Sequence, residues 1–169
     1  RDARAEGGDK FAYWDKRQLV KKINLNSLYG ALLNPGSRFF DSRLGQSTTL
    51  TGRCIAKHMA GELNKIIAGE YNHQGDAIVY GDTDSTYFSA YPMLKEQIKK
   101  GEINWDRDNI IAYYDAVCEE VNKTFPGFMS NTFHTTLELG SIIAAGREMV
   151  GSAGIFITKK RYAMLVFDN

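Results

Sequence analysis

Tyr80-Gly81-Asp82-Thr83-Asp84-Ser85 is the stretch on which the reading of this 169-residue chain turns. Ala77-Ile78-Val79-Tyr80 leads into it as a short apolar strand, and Thr86-Tyr87-Phe88-Ser89 leaves it as a second, rich in aromatic and β-hydroxyl residues. Two such runs around a Gly/Asp/Thr/Asp tip predict a β-hairpin. The tip carries two carboxylates one residue apart. Like charges at about 5 Å disfavour each other's ionisation, so a turn that needs only polarity gains little from the second Asp. A divalent cation reverses that sign, because hard oxygen donors suit Mg²⁺. From these residues alone an alternative stays open: an Asp-rich turn that satisfies its own backbone.

The chain is long enough for one domain with a core of its own. An aromatic content of 12% argues for a packed fold and against disorder. A formal net charge of +1 neither requires nor excludes a polyanionic partner, and the distribution of charge says more. Residues 1–22 carry Arg1, Arg4, Lys10, Lys16, Arg17, Lys21 and Lys22 against Asp2, Glu6, Asp9 and Asp15. Residues 38–58 carry Arg38, Arg43, Arg53 and Lys57 against Asp41 only, and an acidic stretch runs from Glu102 to Glu120. Basic segments flanking an acidic tip would admit a polyanion to a metal site; solvated charged faces explain the same pattern. Cys54 and Cys118 fit no metal-ligand spacing and, without a signal peptide, read as reduced thiols in a cytosolic setting. No apolar run approaches the ~20 residues of a membrane span. The chain opens on Arg and stops at Phe167-Asp168-Asn169 directly after a strand-like run, so both ends read as cut and a fragment is expected.

Residues 9–33 read as one helix on which Lys22, Asn26 and Tyr29, at i, i+4 and i+7, share a face. Gly30 lies beside that face and lets another group come close. A lysine, an amide and a phenol in line can grip a phosphorylated ligand, or they can simply face water. Asn34-Pro35-Gly36-Ser37 ends the helix. A second helix is expected from about Asp41 to Tyr71, with Ile55, Met59, Leu63, Ile66 and Ile67 as its apolar stripe. His58 and His73 stand apart from any second ligand and read as structural or exposed. A short helix then follows between Pro92 and Gly101. Another starts at a cap within Asn104–Asp108, buries Ile110, Tyr114, Val117 and Val121, and is expected to break at Pro126-Gly127. Leu137 to Ala145 reads as a strand. Gly146, Gly151 and Gly154 precede no Lys-Ser/Thr pair, so no P-loop is supported. Lys159-Lys160-Arg161-Tyr162 opens a last strand, Ala163–Phe167, expected to be apolar on both faces. Its cations suit a phosphate backbone or an ordinary solvated strand end.

Lys22-Ile23-Asn24-Leu25-Asn26-Ser27-Leu28-Tyr29-Gly30, Tyr80-Gly81-Asp82-Thr83-Asp84-Ser85 and Lys159-Lys160-Arg161-Tyr162 stand in that order along the chain. Together they resemble the family B DNA-dependent DNA polymerases, in particular the replicative type of T-even-like bacteriophages. The first is similar to the fingers motif K-x-x-x-N-S-x-Y-G, the second to the palm signature Y-G-D-T-D-S, and the third to the primer-strand motif K-K-R-Y. The resemblance spans nearly the whole chain and is weakest in the acidic middle.

That resemblance implies an α+β fold: a polymerase palm with an antiparallel sheet, entered from the C-terminal fingers helix. Residues 1–36 would end the fingers subdomain, and 37–169 would form an incomplete palm. It implies DNA-directed DNA polymerase activity, nucleotidyl transfer to a primer 3′ end with two Mg²⁺ ions. Asp84 matches the essential metal ligand and Asp82 its secondary neighbour; Glu148 is similar to a further palm carboxylate. Lys22 matches a catalytic and nucleotide-binding lysine, with Asn26 and Tyr29 beside the nascent base pair. Lys159, Lys160, Arg161, Tyr162 and Gly30 match DNA-binding positions. The family carries Asp before the Arg-Glu pair, where this chain has Gly146, and Gly-Asn where it has Leu33-Asn34. Implied partners are primer-template DNA, deoxynucleoside triphosphates, the remainder of the polymerase (exonuclease, upstream palm and fingers, thumb), a sliding clamp and a single-strand-binding protein, with no membrane. The implied setting is the cytoplasm, that of the bacterial host for a phage protein.

One carboxylate pair cannot fix two ions, so a further Asp is needed. The family supplies it from a D-x-x-S-L-Y-P stretch that does not occur in these 169 residues. The isolated chain is therefore expected to be inactive alone. A non-catalytic DNA-binding half of a split polymerase is the alternative, and an RNA-making palm enzyme a further one, opposed by the fingers motif.

Overall fold

The computed structural model describes residues 8–168. Arg1, Asp2, Arg4 and Glu6 of the basic segment lie outside the described residues, as does Asn169. The chain divides into two compact units between Thr51 and Gly52.

In the first unit α1 spans Gly8–Leu33, matching the expected helix. It stops where Asn34 turns its side chain onto the backbone: Asn34 Oδ1 accepts from the Gly36 N–H at 3.0 Å. Asp41 then starts α2, Ser42–Ala68, accepting the Gly45 N–H on its carbonyl at 3.2 Å and the Arg43 N–H on its carboxylate at 2.9 Å. Side-chain hydrogen bonding from Arg43, first among the causes, holds the Asp41 carboxyl below its usual pKa. The Tyr29 hydroxyl of α1 meets Thr49 Oγ1 of α2 at 2.6 Å.

The second unit starts within α2. That helix ends at Ala68 rather than near Tyr71. Gly69 takes φ +82 and bonds its N–H to the Lys65 carbonyl at 2.9 Å, the left-handed stop that glycine permits. Buried Asn64 organises the turn from α2 into the hairpin. Its Oδ1 accepts the Ala77 N–H at 3.0 Å and its Nδ2 donates to the Glu70 carbonyl at 2.8 Å. The hairpin β1 (Ile78–Asp82) and β2 (Ser85–Phe88) starts directly after Ala77, antiparallel as expected. Next come α3 (Tyr91–Lys99) and α4 (Arg107–Phe133), the latter capped by Asp106, whose side chain accepts the Asn109 N–H at 2.9 Å. The core lies where Leu63 of α2 meets Val117, Val121 and Phe125 of α4, with Ile78 and Phe88 of the hairpin packed against them. His58 is buried beside it, stacked on Phe128 with ring centroids 3.9 Å apart. Its role is structural; His73 is exposed in the turn that precedes the hairpin.

Three expectations are corrected. Pro126-Gly127 does not break α4, which continues to Phe133. An internal proline costs about 3 kcal/mol, but burial of Phe125 and Met129 on either side offsets it. Termination falls to His134, at φ 54. Leu137–Ala145 is not a strand either. Thr136 caps a short helix α5 (Leu137–Gly140) through the Leu139 N–H, and the segment beyond is pinned by a side chain. Asn122 of α4 accepts the Ala145 N–H at 2.6 Å and donates to the Ala145 carbonyl at 2.9 Å, doing what a neighbouring strand would do. Finally, the last strand is not buried on both faces. It is β4 (Arg161–Asp168), paired antiparallel with β3 (Val150–Thr158) in a two-stranded sheet, with Leu165 69% exposed. The architecture is α+β, with both sheets antiparallel hairpins.

Candidate active site

Both hairpin tips are built on residues with positive φ that are not glycine. In the first, Asp82 pairs with Ser85 across the turn, and Thr83 adopts φ 53. A β-branched residue there is unusual and costs of order 1–3 kcal/mol, strain that characteristically persists where a site needs the shape. Thr83 Oγ1 donates to Asp82 Oδ1 at 3.3 Å and Ser85 Oγ to the Asp82 carbonyl at 3.1 Å, so the tip is held by its own hydroxyls. Asp82 is half-buried, and Asp84 is exposed with no hydrogen bond or ion pair among the described residues. In the second hairpin Thr158 pairs with Arg161, leaving Lys159 and Lys160 as the turn, with Lys160 at φ 63.

An aromatic cluster joins the two. Tyr80 and Tyr87, from β1 and β2, pack against Phe156 and Tyr162, from β3 and β4, with centroids 5.1–5.8 Å apart. Two hydrogen bonds fix the register between hairpins. The Tyr80 hydroxyl accepts the Lys160 N–H at 2.8 Å, and Tyr87 donates to the Tyr162 hydroxyl at 2.6 Å. That bond, with burial and then the Tyr162, Glu148 and Tyr80 charges behind it, pushes the Tyr87 pKa up to about 12. The Lys160 ammonium sits 3.9 Å from Asp82 Oδ2. Lys160 is largely exposed, so this pair adds little stability; its significance is that it places a cation beside the acidic tip.

Glu148 lies just ahead of β3, near enough for its charge to act on Tyr87. Its neighbour Arg147 is bracketed by Asp115 of α4 and Asp168 of β4, each at 2.5 Å. The structure thus brings together Asp82, Lys160 and Tyr162, with Asp84 at the same tip and Glu148 toward the same cluster. Lys159 and Arg161 flank Lys160, exposed. Lys22, Asn26 and Gly30 are exposed on α1 in the first unit, and a Cβ at Gly30 would meet nothing within 4 Å. Tyr29 already commits its hydroxyl to Thr49, so its ring is what remains to contact a ligand. Sequence reasoning missed Tyr87, Phe156, Arg147 and Asp115. For Tyr87 the aromatic run of β2 was a signal; for the Arg147 bracket no local signal exists.

The carboxylates of Asp82 and Asp84 fit Mg²⁺ in donor chemistry. No group of three Asp, Glu, His or Cys side chains able to hold a metal ion occurs among the described residues.

The model of DNA polymerase family B matches residues 3–102, more than half of the chain. The chain belongs to DNA polymerase family B. Among relatives of this family B chain, the DNA-directed DNA polymerase of Escherichia phage RB69 is 30% identical over 162 residues, covering 89% of this chain and 18% of the relative. That of Enterobacteria phage T4 is 29% identical over 167 residues, with the same shares. The DNA polymerase alpha catalytic subunit of Arabidopsis thaliana is 32% identical over 120 residues, 71% of this chain and 7% of the relative. The family B chain thus spans about a fifth of the length of the phage relatives it matches. No solved structure matches it. Among the described residues no helix is long and apolar enough to cross a membrane.

Proposed function

We propose that this chain is a segment of a template-directed DNA polymerase that extends a primer 3′ end with deoxynucleotides. In this reading α1 is the last fingers helix and residues 37–169 belong to the palm. One observation carries it: the acidic tip and the basic turn are locked onto one aromatic cluster, with Lys160 3.9 Å from Asp82. A primer backbone drawn to the basic turn is thereby delivered to the carboxylates. Asp84 and Asp82 would hold Mg²⁺, two ions being the expected complement, with Glu148 as a further carboxylate. Bound Mg²⁺ supplies charge neutralisation for the attacking and leaving oxygens. Lys22 would take the triphosphate, its side chain exposed and ready for a charge-assisted contact. Asn26 and the Tyr29 ring would flank the nascent base pair. Lys159, Lys160, Arg161 and Tyr162 would bind the primer strand, with Gly30 leaving room for DNA. The remaining polymerase segments complete the site; a sliding clamp and a single-strand-binding protein are further partners of this reading, and the cytoplasm is its setting.

The test restores the missing segments and measures template-directed incorporation. Asp84→Ala should abolish it while leaving the fold intact, because Asp84 makes no contact that the fold needs. Near-normal incorporation by that variant would refute the assignment. A second reading, a DNA-binding half of a split polymerase, is favoured by the missing third metal-binding side chain among the described residues. Salt-dependent binding of primer-template DNA by the chain alone, with no activity after reconstitution, would select it.

A further inference from the structure

We infer that Tyr80 and Tyr87 are positioning residues: their phenols aim Lys160 and Tyr162 at the primer strand. This rests on the DNA-facing role proposed above for the basic turn. The roles of these two tyrosines differ in which hydrogen-bonding capacity each bond uses up.

Lys160 sits at φ 63, a backbone state that a lysine adopts only when its surroundings over-determine it. The constraint is visible. Its N–H points across to the other hairpin and meets the Tyr80 hydroxyl at 2.8 Å. Tyr80 itself is held between Tyr87, Phe156 and Tyr162, so the acceptor cannot wander. Fixing the backbone of Lys160 fixes the root of a long, exposed side chain whose ammonium then lies beside Asp82. Without that bond the turn would relax toward a right-handed lysine, and the ammonium would swing away from the acidic tip.

Tyr87 acts on the neighbouring motif residue through proton direction. It donates to the Tyr162 hydroxyl at 2.6 Å, so one acceptor lone pair of Tyr162 is taken and its own O–H must turn elsewhere. No acceptor for it occurs among the described residues. Tyr162 is 42% exposed, so its proton is presented outward as a donor. An outward phenol donor beside cations suits an acceptor-only partner: a phosphate or sugar oxygen of a nucleic-acid strand. The bond to Tyr162 is also the first cause of the raised Tyr87 pKa, the direction expected of a phenol whose proton is engaged as a donor.

Tyr→Phe changes remove the hydroxyls and keep the ring packing, so the test is a pair of double-mutant cycles. Binding of a fluorescent primer-template duplex to the 169-residue chain at low salt would be followed by anisotropy. Tyr80→Phe and Tyr87→Phe should each weaken binding about three- to tenfold, the scale of one hydrogen bond's net contribution. In a Lys160→Ala background Tyr80→Phe should cost nothing further, and in a Tyr162→Phe background Tyr87→Phe should cost nothing further. A merely structural role would cost the same in both backgrounds and would overturn the inference. Amide hydrogen exchange supplies a readout independent of DNA: Tyr80→Phe should accelerate exchange at Lys160, and unchanged protection there overturns the Tyr80 assignment. Binding that falls with Lys160→Ala but not with Tyr80→Phe defeats this inference alone. Absence of any salt-dependent binding by the unaltered chain defeats the reading beneath it as well.

Discussion

Replacing Asn64 by alanine isolates the joint that carries the acidic hairpin. Asn64 is 1% exposed and its amide serves two backbone groups in the turn between α2 and β1. The two losses are unequal. Glu70 is exposed, so its carbonyl can take a water in place of Nδ2 and forfeits little. Ala77 is 0% exposed, so its N–H is left buried without an acceptor. An orphaned buried donor costs about 1–3 kcal/mol, and the vacated side-chain volume adds to it, with Gly75 packed against the amide and unable to fill the gap. We expect a loss of about 2–3 kcal/mol, a large share of the 5–15 kcal/mol typical of a domain. By the usual scaling for this size that lowers Tm by about 4–12 °C. Urea unfolding monitored by circular dichroism gives the first number, and the midpoint should fall without a change in slope. Asn64→Asp keeps an acceptor for Ala77 and should retain Ala77 amide protection in hydrogen exchange, whereas Asn64→Ala should lose it. A change under about 0.5 kcal/mol with Ala77 still protected would refute the argument, because it would mean the buried donor never depended on Asn64.

Other sites in the same structure yield further expected outcomes. Thr124 Oγ1 donates to the Val121 carbonyl at 2.7 Å, so it accepts from His58 Nε2–H at 3.0 Å, and Nδ1 is left to accept from Tyr71 at 3.1 Å. Burial, the leading cause, holds the His58 pKa below its ordinary value. A depressed histidine pKa stabilises the fold fully above the unfolded value of about 6.5, and that contribution is lost as pH falls through the folded value. His58→Phe should therefore flatten the acid side of the stability–pH curve; an unchanged slope there would contradict the burial argument. Asn122→Ala should free the Ala145 segment and cost about 1–3 kcal/mol in urea unfolding, with exchange accelerated at the Ala145 amide. At Gly140 a Cβ would stand 3.1 Å from the Pro126 backbone and the Met129 Cβ, so Gly140→Val should cost about 1–3 kcal/mol and detach α5; a neutral result would show that this contact yields freely. In the reconstituted polymerase, Lys22→Ala should weaken nucleotide binding about ten- to a hundredfold, the scale of a lost charge-assisted contact, seen as a raised nucleotide KM.

The local features of this chain were legible from residues alone. Residue period, breakers and the turn signal located α1, α2 and the β1–β2 hairpin, since each depends on neighbours within a few positions. The ordered motifs also pointed to the family to which the chain belongs. Local reading could not foresee where burial outweighs propensity. Pro126 stays inside α4 because the flanking Phe125 and Met129 are buried. Ala145 needs no strand partner because Asn122, 23 residues away, supplies both hydrogen bonds. The meeting of the acidic tip with the basic turn is likewise tertiary: Tyr80 reaches the Lys160 amide across 80 positions. No window of sequence contains both partners, and a hydrogen bond depends on ångström distances that only the packed aromatic cluster sets.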